Sequence, residues 1–164
     1  MKLCWMVLLT GTVLIGCEKK HDPLLKQLVV LQNAANQSSS SQLRSGIDGF
    51  SKFLETSGYL SKEKPLPEPA HKGLVSYIDC LEALAGTLEE REKQSGKVKK
   101  WSKHLEDVMN PLNKLKVKDY EAAVKSLQSK LEASEALVKK IDNDLTRESL
   151  LCSDSEKAIR NHTE

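Results

Sequence analysis

Apolar residues recur along most of this chain at three- and four-residue steps, the spacing of one face of an α-helix. Asp22 is placed to cap a first helix, and Pro23 suits its first turn. Leu24, Leu25, Leu28, Val29 and Leu31 then form a broad apolar face ending near Asn36. Ser38 to Ser41 reads as a short polar linker. Leu43, Ile47, Phe50 and Leu54, with Phe53 beside them, predict a second helix stopped at Gly58. Gly46 and Gly49 weaken that helix intrinsically, so packing must hold it. They either permit close helix approach or are merely tolerated. Pro65, Pro67 and Pro69 alternate in an extended, polyproline-like connector.

A third helix is expected from Ala70 to about Ser95. Leu74, Tyr77, Leu81, Leu84 and Leu88 form its stripe, flanked by Ile78 and Ala85. Residues 89–93 (Glu-Glu-Arg-Glu-Lys) read as its solvated end, and Gly96 as a break. Val98, Trp101, Leu105 and Val108 then mark a fourth segment over Lys97 to Asn110, which Pro111 ends or kinks. The longest signal comes last. Tyr120, Val124, Leu127, Leu131, Ser134, Val138, Ile141, Leu145, Glu148 and Cys152 are spaced alternately four and three apart. This is a heptad seam, on a helix that Asp119 is placed to cap. The seam needs a partner: the Leu74–Leu88 stripe, or else a second copy or another protein. Residues 153–164 read as a polar, frayed tail.

The first seventeen residues follow a different pattern. Lys2 precedes a nearly unbroken apolar run from Leu3 to Ile15, closed by Gly16 and Cys17. Fifteen residues from Leu3 to Cys17 reach about 22 Å as a helix, short of a bilayer core of roughly 30 Å. A secretory h-region fits that length. Leu14-Ile15-Gly16-Cys17 resembles the lipobox of bacterial lipoproteins. The resemblance covers residues 1–17 alone and names no family for the rest. It implies cleavage between Gly16 and Cys17, with a diacylglyceryl and an N-acyl chain on Cys17 as the new N-terminus. Residues 17–21 would form a short lipidated tether, and residues 22–152 a single helical domain. In systems resembling enteric lipoprotein sorting, Glu18 rather than aspartate after the cysteine favours the outer membrane over the inner.

Cleavage changes the composition argument. Without residues 1–16 the chain has 148 residues, with 24 basic against 23 acidic side chains. That balance gives no electrostatic case for nucleic acid. Few aromatics, many Leu and Ala and abundant Lys and Glu favour helices. The expected fold is therefore all-α, an elongated bundle of four or five helices with a long C-terminal one. Cys4 leaves with the signal and Cys17 carries lipid, which leaves Cys80 and Cys152. An even pair outside the cytoplasm predicts a disulfide, against the alternative of two buried thiols.

Little in the chain points to chemistry. His21, His71, His104 and His162 have no metal-ligand spacing, and phosphate-loop, dinucleotide and nucleophile-elbow motifs are missing. No enzyme activity and no cofactor is expected, a cryptic hydrolase being the distant alternative. The expected role is that of a lipid-anchored, extracytoplasmic envelope protein, structural or protein-binding. Self-association is the other way to satisfy its helical faces. A second reading is a membrane-surface binder or permeability-active protein, touching lipid through Lys19, Lys20 and Trp101. Lys97, Lys99, Lys100, Lys103 and His104 surround that tryptophan, their default role being a solvated helix face over a core indole.

Overall fold

The structure is a computed structural model and describes residues 22–36, 39–59, 66–114 and 117–163. The residues expected to form a signal peptide and a 17–21 tether, with Gly16, Cys17, Lys19 and Lys20, lie outside the described residues. Within them the chain is all-α: α1 (Asp22–Ala35), α2 (Ser40–Thr56), α3 (Glu68–Met109), α4 (Pro111–Lys114) and α5 (Tyr120–Thr163), with no strand.

The short helices follow from local chemistry. α2 stops where Gly58 adopts a φ of 74°. The amide of Tyr59 then donates to the Leu54 carbonyl at 3.2 Å, and that of Gly58 to the Glu55 carbonyl. Together they satisfy two otherwise orphaned helix-end acceptors. Pro67 keeps the extended geometry of the connector, whereas Pro69 falls in the first turn of α3, where a missing amide is harmless.

α3 and α5 form a long antiparallel hairpin, closed through α4 and Asp119, which adopts a φ of 53°. At ~1.5 Å per residue each helix is about 63–66 Å long. α1 and α2 pack on one end of the hairpin. Leu24, Leu28 and Leu31 of α1 and Leu43, Ile47, Phe50 and Leu54 of α2 join Ala70, Leu74, Tyr77, Leu81, Leu84 and Leu88 of α3 in one core. Cys152 and Ile159 of α5 complete it. This four-helix head ends near Glu92. Beyond it, residues 95–133 continue as a two-helix arm, where apolar seam positions are only half-buried.

Four expectations need correction. Gly96 does not break the third helix: α3 runs through it. The ~1 kcal/mol that an interior glycine costs is offset because α3 packs along α5 on both sides of it. Residues 89–93 are not a solvated end but lie mid-helix and bind α2 and α5. The polar linker is shorter than expected, since Ser40 and Ser41 open α2. Residues 153–163 are not a frayed tail: α5 continues to Thr163, with Ile159 0 % exposed and Glu156 and Thr163 buried. From Cys152 these positions follow at steps of four, three and four, so two four-residue steps meet at Cys152 and the strict alternation of the seam ends there. Every position of the predicted seam from Tyr120 to Cys152 is buried or half-buried, and the partner is α3.

Candidate interaction surface

The head is fastened by the charged stretch in the middle of α3. α2 has no capping bond from its own N-cap residue, Ser39. Glu92 supplies one from another helix: its carboxylate accepts from the Ser40 amide at 2.9 Å and from the Ser40 hydroxyl at 2.8 Å. Those two bonds, the amide one first, hold the Glu92 carboxyl below its ordinary pKa. One turn back, Arg44 donates to Glu89 at 2.8 Å. On the other side, Arg91 donates to Asp142 of α5 at 2.5 Å. Glu90 accepts from the Gln94 amide, and this bond, ahead of the nearby Lys93 and Lys97 charges, lowers its pKa. The side-chain carbonyl oxygen of Gln94 is buried without a hydrogen-bond partner.

Deeper in the head, Tyr77 is 2 % exposed. Burial pushes its phenol up to about 12, helped by the negative charge of Glu156 and opposed by Arg160. Glu156 is itself buried and is held by Arg160 one turn on, at 2.7 Å. The Glu156–Arg160 pair lies within α5, beside the buried Tyr77 of α3.

Cys80 of α3 and Cys152 of α5 are disulfide-bonded, with Cα atoms 5.5 Å apart. Cys80 borders a shallow groove of about 750 Å³ between the two helices, with Ser76, Ala83, Arg147 and Leu151. A second groove of about 330 Å³ opens where the head gives way to the arm. Val98 and Val138 form its floor, and Lys99, Lys139, Glu135 and Asp142 its charged rim. An apolar floor inside a charged rim is the layout of a side-chain pocket at a protein interface.

Trp101 sits farther along the arm, half-buried on the α3–α5 seam with Val98, Leu105 and Val108. Lys97, Lys99, Lys100 and Lys103 are exposed around α3, as expected of a solvated face. One contact was not legible in the sequence: Lys130 of α5 reaches the Trp101 ring, its ammonium 5.1 Å from the centroid, the same distance as that of Lys100. The His104 ring lies 6.1 Å from the indole. The separation of 29 residues between Trp101 and Lys130 carries no local signal; only the hairpin register brings them together. At the tip, Met109 and Leu112 are exposed, Leu112 by 80 %.

Among the described residues no group of His, Cys, Asp and Glu is arranged to hold a metal ion, and no helix is long and apolar enough to cross a membrane. Comparison with protein families, with curated protein sequences and with solved structures finds no match to this chain.

Proposed function

We propose that this is a lipid-anchored protein of the bacterial envelope, fixed by acylation of Cys17, whose non-catalytic role is to hold out a two-helix arm for a protein partner. The observation that carries the proposal is the placement of the arm relative to α1. Ala35 at the end of α1 and Asn36 after it line a hollow with Leu84, Leu88 and Leu145 on the arm side of the head. The start of α1 at Asp22 thus stands at the opposite end, away from the arm. Four residues separate Cys17 from Asp22, five backbone steps with a reach of at most about 18 Å. A lipid on Cys17 therefore tethers the head, and the arm extends beyond the head by roughly a third of the length of α3. The Val98–Val138 groove at the arm's root is the surface offered to an apolar side chain of the partner.

Two measurements test this. Intact mass and labelled-lipid incorporation should show a diacylated, N-acylated Cys17 in the wild type and neither modification in Cys17→Ser. A photo-reactive residue at Val138 should yield a discrete cross-linked adduct in cells, whereas one at Asp48, on the head, should not. An unmodified Cys17 in the mature protein overturns the anchor, and equal labelling from both positions overturns the groove.

A further inference from the structure

The hairpin has a covered face, where α1 and α2 pack, and an open one. On the open face of the arm, Lys97, Lys100 and His104 follow one another at three- and four-residue steps along α3, so their side chains stand in one row. Lys130 and Leu137 stand two turns apart on the facing side of α5, and Leu137 is 46 % exposed. Trp101 lies between the helices, and the ammonium groups of Lys100 and Lys130 both approach its ring. Lys100 and Lys130 are thus brought from different helices to the same indole, no farther from one another than twice 5.1 Å. Among the described residues neither they nor Lys97 pairs with a carboxylate, although seven other ion pairs form along the helices. Glu90 and Asp107 bound the row only at its two ends. The whole segment 95–133 carries nine Lys against five Asp and Glu, whereas the rest of the chain after residue 16 is net acidic.

From this geometry we infer a binding site for anionic phospholipid headgroups on the arm, formed by Lys97, Lys100, Lys130 and His104 around Trp101. Two converging ammonium groups repel one another until an oxyanion lies between them. Phosphate oxygens meet that requirement, and the half-buried indole adds a small apolar surface. A lipid headgroup layer offers both oxyanion and apolar contact, and tryptophan favours that boundary. A soluble polyanion offers only the charge. The site stands on the arm's own geometry and does not depend on acylation of Cys17.

The test uses residues 18–164, which contain every described helix and the entire described core. This span has Trp101 as its sole tryptophan, because the other one in the chain is Trp5, so emission reports the site directly. The protein should float with vesicles of phosphatidylglycerol and phosphatidylcholine, with a blue shift of Trp101 emission, and should ignore pure phosphatidylcholine. Lys100→Gln and Lys130→Gln should each weaken binding about fivefold, the effect of removing one lysine near an anionic surface. The double variant Lys99→Gln, Lys139→Gln removes the same charge from the other groove and should stay within about twofold of wild type. All four lysines are exposed, so folding is unaffected by these changes. No flotation with anionic vesicles overturns the site. A loss in the Lys99→Gln, Lys139→Gln variant equal to that in Lys100→Gln or Lys130→Gln, or binding of inorganic polyphosphate without vesicle binding, overturns it equally. Lipid incorporation at Cys17 is a separate readout, so failure here leaves the proposed anchor standing.

Discussion

At the scale of single residues, the two glycines of α2 have the same sequence signature and opposite structural roles. A methyl group on Gly46 would lie 3.0 Å from the Cβ of Ala34 and 3.3 Å from Leu31 of α1, whereas one on Gly49 would meet nothing within 4 Å. Gly46 is the point where α1 and α2 approach; Gly49 faces solvent. Gly46→Ala should therefore destabilise the fold by about 1–3 kcal/mol, the usual range for overpacking. Gly49→Ala should stabilise it by roughly 0.5–1 kcal/mol through the helix propensity of alanine. Urea denaturation of the two variants checks both signs. A gain in stability from Gly46→Ala would mean that α1 does not rest on α2. Periodicity alone had no means of separating these positions, because it reports which face a residue occupies and not what stands opposite it.

At the scale of elements, the apolar stripes were legible and the helix ends were not. The heptad spacing from Tyr120 to Cys152 names the residues that face α3, since it depends only on helix geometry. The end of α5 was hidden because residues 153–163 include Ser153, Asp154, Ser155 and Glu156, which read as solvated. Their neighbour Ile159 carries the packing, and Arg160 neutralises Glu156. The start of α2 was hidden for a related reason: its cap comes from Glu92, 52 residues away. This cap has a pH signature. The folded pKa of Glu92 is lowered, so its contribution is present above the ordinary carboxylate pKa and is lost as pH falls through the folded value. Glu92→Gln should lower the melting temperature at neutral pH, with the gap from wild type closing as the solution is acidified below pH about 4.3. A gap that stays constant with pH would show that the cap does not act through its charge.

For the whole molecule, the candidate surface was only half legible. Trp101 and its neighbouring lysines stand out in the sequence, but Lys130 and the floor residue Val138 join them only through the register of a hairpin longer than either stripe reveals. That register is fixed in the head, where α3 and α5 meet at Cys80 and Cys152; the described arm has no covalent link between its helices. The two cysteines are 72 residues apart, and in the chain-entropy model closing such a loop stabilises the folded state by about 4 kcal/mol. Cys80→Ser should lose most of that stability, and on non-reducing gels the wild type should migrate faster than the variant. Because the bond ties the first third of α3 to α5 within the head, its loss should weaken protection of head amides against hydrogen exchange. Amides in residues 95–133, held by two-helix packing alone, should exchange early in both proteins. Identical gel mobility, with both thiols open to alkylation in the native protein, would remove the bond and with it the oxidising compartment that the proposed envelope location supplies.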